Sequence, residues 1–330
     1  MCDVSPFSSV IGPTVARYLA LKQTLGRKYE LERRILAHID TFLNTTDADL
    51  TVESFTAWCR TREHLTSGVR RNWMRVVRNL CLYRRRTVPF CFVPDQSQFP
   101  PLHQPIQPYI FTETEITRLL DAADRLKPAN LSPLRRENFR LALVLLYTTG
   151  LRRGELVRLT VGDYDPIEGT LLIRESKFHK SRLLPLSCDG RCQVESYLRN
   201  RSELRLPIAV DSPLLWNRKR CEGFYTGEGL GSTIRELLRT TGIRTAAGRL
   251  PRVHDFRHTF AVAALLRWYR AGNDVQAKLP LLATYMGHVS IVSTEYYLHF
   301  ADQLAACAAD RFAERCGTLI TPPGSEGEGS

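Results

Sequence analysis

Leu141-Ala-Leu-Val-Leu-Leu-Tyr-Thr-Thr-Gly-Leu-Arg-Arg-Gly-Glu-Leu156 runs an apolar helix into its own terminator. The apolar run from Leu141 to Tyr147 reads as part of a buried helix, expected over about Glu137 to Thr149. It is far too short to span a bilayer. Gly150 stops it, as glycine commonly does just past a helix end. Arg152 then falls immediately beyond a buried helix terminus, where a rigid scaffold can aim its side chain.

Reading outward, Phe111-Thr-Glu-Thr-Glu-Ile opens an earlier helix, with Thr112 and Glu115 spaced as a capping box. Downstream of Asp163, Thr170-Leu-Leu-Ile-Arg and Arg182-Leu-Leu-Pro-Leu alternate as strands of a hairpin with Lys177 at or near its turn. Helices are expected over 193–199, 231–240, 257–270, 279–286 and 301–313, and a disordered tail over 316–330. Prolines 89, 94, 100, 101, 105 and 108 mark 88–108 as an extended linker. The segment 1–87 before it has helical periodicity. Val15, Leu19 and Leu25 lie on one stretch, and Leu31, Ile35, Ile39 and Phe42 on the next. Phe55, Trp58 and Cys59 follow Thr51. Ser67 is placed to cap a fourth helix with a stripe of Trp73, Val76, Val77 and Leu80. The expected class is mainly α with a small antiparallel β-sheet: a helical domain, a linker, and a mixed α/β domain over 109–315.

Composition narrows the class of partner. The 330 residues carry 43% hydrophobic and 24% charged side chains, as soluble globular chains do. A net charge of +12 points to a polyanion. On the fourth helix Arg70, Arg71, Arg75 and Arg78 stand with hardly an acid among them, a single-sign face suited to phosphates. The nine cysteines are scattered; Cys188 and Cys192 form the one close pair, and no second pair lies at zinc spacing. They read as reduced thiols of a cytosolic protein. The N-terminus lacks a signal pattern, and no membrane association is expected.

One basic constellation spans the C-terminal half: Arg152, Lys177, His254, Arg257, His288 and Tyr297. Arginine holds phosphate oxygens as a charged fork. Lysine or histidine can protonate a leaving oxygen, and tyrosine can attack phosphorus and carry the product covalently. No carboxylate cluster accompanies them, so neither metal nor cofactor is expected. Arg153, Lys180 and Tyr296 are chemically equivalent neighbours that compete for three of these places.

Thr-Gly-Leu-Arg152, His254-Asp-Phe-Arg257-His258, Met-Gly-His288 and Tyr297, in that order, resemble the motifs of the tyrosine recombinases, the phage integrase family. The resemblance covers about Val10 to Arg315. It implies a helical core-type DNA-binding domain ahead of a catalytic domain, closing on duplex DNA from opposite faces. It implies that Arg152 and Arg257 grip the scissile phosphate, and that Lys177 protonates the departing 5′ oxygen. By the same resemblance His254 takes or relays the tyrosine proton, with His258 supporting, and His288 bonds a phosphate oxygen. Tyr297, nine residues past His288, is then the nucleophile, forming a 3′-phosphotyrosyl bond without metal or ATP. Four protomers on two DNA sites form the implied assembly, with the helix over 301–313 packing on a neighbour. The segment between His258 and His288 is longer than the compact family pattern and resembles recombinases of plasmids and transposable elements. The rival expectations are a type IB topoisomerase and a catalytically silent DNA-binding regulator on the same fold.

Overall fold

The computed structural model describes residues 7–101, 107–174, 181–218, 223–287 and Tyr297. Lys177, Lys180, His288, Tyr296, the expected helix over 301–313 and the tail lie outside the described residues. The chain divides into two units, Met1–Ile106 and Gln107–Ser330. Among the described residues no helix is long and apolar enough to cross a membrane.

The first unit is a bundle of α1 (Gly12–Thr24), α2 (Glu30–Thr45), α3 (Val52–Arg60) and α4 (Ser67–Arg84). Ile35, Leu36, Ile39, Trp58, Val76, Val77 and Leu80 fill its core. The apolar spacing of α2 and α4 turns one stripe of each helix inward. Thr51 and Ser54 cap α3 reciprocally, each side chain taking the other's backbone N–H. Ser67 opens α4 instead of capping it, because Thr66 already holds the extended flanking position. Leu25 and Leu31 sit at helix ends and are 63% and 53% exposed, so the periodic stripe stops short of them.

The stretch expected as an extended linker is partly core. Phe99 is buried, Phe92 and Val93 pack against the bundle, and Arg71 donates to the Pro100 carbonyl at 2.6 Å. Its prolines rule out a long helix, but they do not prevent aromatic side chains from finding apolar surface.

The second unit is built around α6 (Arg135–Thr149), whose Phe139, Leu141, Leu143, Leu145 and Leu146 are buried. Each such side chain contributes about 1.5–3 kcal/mol by leaving water. Helix α5 (Glu113–Asp124) begins at the Thr112–Glu115 box, closed in both directions. After the short α7 (Arg153–Leu156) comes a sheet of β1 (Tyr164–Asp165), β2 (Thr170–Ile173) and β3 (Arg182–Pro185), in that order and antiparallel. Leu171 pairs with Leu184, and these two with Ile173 face the core. The edge strand β1 was not expected: two residues are too few to display a period.

Helices α8 (Cys188–Glu203), α9 (Gly227–Thr240), α10 (Val253–Arg270) and α11 (Val275–Met286) complete the unit. All four start four or five residues before their expected positions. The cause is shared, since polar caps precede the first apolar residues. Ser187, Thr226 and Asp274 each accept a backbone N–H of the first turn. At α10 the Asp255 carboxylate reaches back to the Arg252 N–H at 2.6 Å. His254, Arg257 and His258 therefore all lie on one helix.

Candidate active site

Two helix C-termini and one helix N-terminus build the site. Helix α6 ends at Gly150 and α11 at Gly287, both left-handed, with φ of 61° and 66°. Neither position tolerates a side chain. A Cβ on Gly150 would lie 2.6 Å from the Phe260 ring, and one on Gly287 would lie 2.8 Å from the Arg182 guanidinium. The last carbonyls of a helix lack intrahelical partners and carry partial negative charge. Here arginines satisfy them.

Arg257, 1% exposed, crosses between the two ends. Its Nη1 donates to Gly150 O at 2.7 Å and its Nη2 to Met286 O at 2.6 Å. Arg152 Nη2 donates to the next carbonyl, Gly287 O, at 2.9 Å. The two guanidiniums are thus held by adjacent peptides. Burial, with the charge of Arg152, lowers the Arg257 pKa to about 10, which leaves it protonated near neutral pH. Arg152 keeps 27% of its side chain exposed, so it can still meet a ligand. Arg153 faces elsewhere, against Gly227 and Gly231 of α9.

A carboxylate lies behind the pair. Glu155 accepts from Arg152 Nη1 at 2.7 Å and from the Arg152 backbone N–H at 3.0 Å. It also accepts from Arg182 Nη1 and Nη2 at 3.2 and 3.0 Å. Burial pushes its pKa up, but the bonds from Arg182 and Arg152 outweigh that and bring it down to about 2. From the sequence Glu155 reads only as a flanking match to the family pattern, with no role, and Arg182 only as a strand residue. The i,i+3 spacing of Arg152 and Glu155 was a usable sign; for Arg182, 27 residues beyond Glu155, the sign was a charge at an inward position of a strand.

On α10 the His254 and His258 rings meet edge to face at 4.7 Å between centroids. The Tyr297 ring packs on His258 at 5.4 Å. Tyr297 is 2% exposed in a cluster with Val262, Leu265, Leu279 and Met286 of α10 and α11. Partial burial, with the charges of Arg257 and Arg252, lowers the His254 pKa. Burial, with His254 beside it, lowers that of His258 to about 4. Both imidazoles therefore favour the neutral, proton-accepting form.

Of the six expected catalytic residues, the fold brings Arg152, His254, Arg257 and Tyr297 to one place. Lys177 and His288 lie outside the described residues. Among those described, no three His, Cys, Asp or Glu side chains are grouped to hold a metal ion.

The phage integrase family model matches residues 110–303. The chain belongs to the phage integrase family. This tyrosine recombinase is 30% identical over 311 residues to y4rB, a candidate integrase/recombinase of Sinorhizobium fredii, covering 93% of the chain and 98% of that relative. It is 28% identical over 192 residues to the tyrosine recombinase XerA of Pyrococcus furiosus, covering 58% of the chain and 57% of the relative. Its fold is that of the Tn1549 transposon integrase solved with a circular intermediate DNA, at a TM-score of 0.61 and 17% identity, with 92% of this chain and 100% of that one covered. XerH bound to difH substrate in a post-cleavage complex gives a TM-score of 0.60 at 18% identity, with 88% and 79% covered.

The arginines expected to face phosphates lie on α4 of the first unit. Arg75 is exposed and bonds Asn72 within its own helix at 2.8 Å. Arg70 and Arg78 are half-buried. Arg71, also half-buried, lies 6.0 Å from the Phe99 ring centroid as well as bonding Pro100, so it supports the fold in addition to carrying charge.

Proposed function

We propose that this chain breaks and rejoins duplex DNA at specific sites through a 3′-phosphotyrosyl intermediate on Tyr297. The observation that carries this reading is the packing of Tyr297 on His258, whose ring meets that of His254, beside the paired guanidiniums of Arg152 and Arg257. Arg152, with Arg257 behind it, holds the scissile phosphate and neutralises the charge that grows as five oxygens surround phosphorus. The Tyr297 hydroxyl attacks that phosphorus. Its proton passes to His254, which partial burial keeps neutral and ready to accept. The 5′ oxygen leaves with a proton from Lys177 on the β2–β3 hairpin, while His288, one residue past the clamped Gly287, bonds a phosphate oxygen. Attack by a partner strand's 5′-hydroxyl reverses the step and restores the tyrosine. The bond energy stays in the ester, so neither ATP nor a metal is needed.

Arg70, Arg71, Arg75 and Arg78 contact backbone phosphates and give affinity without sequence choice. Four protomers on two sites complete the exchange, as the family resemblance implies. The test is covalent trapping on a library of nicked suicide duplexes with a randomised core. The unaltered chain and Tyr296→Phe should form the adduct, while Tyr297→Phe should bind DNA and form none. An adduct from Tyr297→Phe, absent from Tyr296→Phe, would move the nucleophile by one residue.

A further inference from the structure

We propose that Arg182 is a positioning residue for the cleavage step, acting through Glu155 to hold the Arg152 fork on the scissile phosphate. The inference rests on the phosphotyrosyl reading above. Three facts carry it. The Arg182 side chain is only 10% exposed, so it is poorly placed to grip DNA itself. Its donors fan out to two elements: Nε reaches Tyr285 O at 2.8 Å, and Nη1 and Nη2 reach the two oxygens of Glu155 at 3.2 and 3.0 Å. Those same oxygens receive Arg152, Oε1 from its Nη1 and Oε2 from its backbone.

Glu155 alone could not fix Arg152, because a carboxylate on a short helix rotates unless its other lone pairs are occupied. Arg182 occupies them. With both oxygens engaged from opposite sides, Arg152 has one low-energy place, with one Nη on Glu155 and the other on Gly287 O. Arg182 also lies close against Gly287, where a Cβ would meet its guanidinium at 2.8 Å. The strand that leaves the Lys177 hairpin is thereby fixed to the helix end that leads into His288. A planar fork is required, since an ammonium's three donors leave one atom and cannot meet both Glu155 oxygens side-on while reaching Tyr285 O.

The experiment measures single-turnover adduct formation by the full chain on suicide duplexes recovered by the unaltered protein, alongside DNA affinity and thermal melting. Arg182→Ala and Arg182→Lys should each slow the adduct step by roughly 10- to 100-fold, the scale of misplacing a reacting group by an ångström. DNA affinity should change by less than about twofold, because a buried side chain releases no counterions. The Arg152→Ala/Arg182→Ala double variant should be no slower than Arg152→Ala, because one residue acts through the other. A double variant slowed by the product of the two single losses would overturn the inference, as would Arg182→Lys at the unaltered rate. If Arg182→Ala does not fold, Arg182→Gln carries the same comparison. Failure of the unaltered chain to form any adduct would remove the phosphotyrosyl reading and this inference with it; a normal adduct with a fast Arg182 variant would remove this inference alone.

Discussion

The two units use arginine in opposite ways. In the first, Arg75, Arg85 and Arg86 of the α4 region are exposed, and Arg75 bonds only its own helix, at Asn72, although Arg71 and Arg84 reach Pro100 and Asp49. In the second, the arginines at and behind the site reach across the fold, and Arg257 and Arg201 are buried. Arg257 bonds a carbonyl 107 residues away and Arg152 one 135 residues away. Arg201, fully buried, bonds the carbonyls of Pro213 and Leu214. An exposed guanidinium on a flexible stem adapts to whichever phosphate approaches. A clamped one has lost its rotamer entropy on folding and costs nothing further when the reaction begins. On the proposed reading the same side chain supplies general affinity in one unit and fixed geometry in the other.

That contrast can be tested from its strongest point downward. Arg257→Ala leaves the buried carbonyls of Gly150 and Met286 without donors, at about 1–3 kcal/mol each. It should lower thermal stability measurably and cut adduct formation at least about a thousandfold. A variant that melts like the unaltered chain would mean that the clamp contributes no stability.

The next effect is on pH dependence. With the His254 pKa below its ordinary 6.5, the proton acceptor stays neutral as pH falls through that value. The adduct rate should therefore hold steady from about pH 8 to below 6.5 and decline only in more acid buffer. A decline centred at 6.5 or above in a pH–rate profile would remove His254 as the desolvated base.

The smallest effect belongs to the first unit. Arg75→Ala should shift stability by less than about 0.5 kcal/mol. It should weaken DNA binding evenly across sequences and lower the slope of log affinity against log salt by about 1. An unchanged slope would take that helix face off the DNA.

The same contrast explains what the sequence made legible. Periodicity and capping act over three or four residues, so the four N-terminal helices, the Thr112–Glu115 box and the end of α6 at Gly150 could be read directly. Helices α8, α9 and α11 begin before their apolar spacing does, because Ser187, Thr226 and Asp274 cap a first turn that is largely polar or small. The partial burial of the segment after Val88 was hidden by its prolines. At the site, individual residues could be named from their motifs, but not the carboxylate and third arginine that organise them. Arg182 opens β3 on the same face as Leu184 and directly across from Ile173, so an arginine at an inward position of the alternation was the one local sign, and it names no partner.

The arginine-to-carbonyl bonds at the end of α11 also bear on how this chain tolerates length change. Carbonyls 285, 286 and 287 are fixed by Arg182, Arg257 and Arg152, so the register of α11 is set from its far end. Its near end hangs from the Ala271–Asp274 turn that follows α10. Residues added or removed in that turn shift only the entry into the helix, whereas one residue inserted at the far end would rotate Gly287 by roughly 100° away from Arg152. The turn between α10 and α11 should therefore accept a change of length, and the few residues beside Gly287 should not.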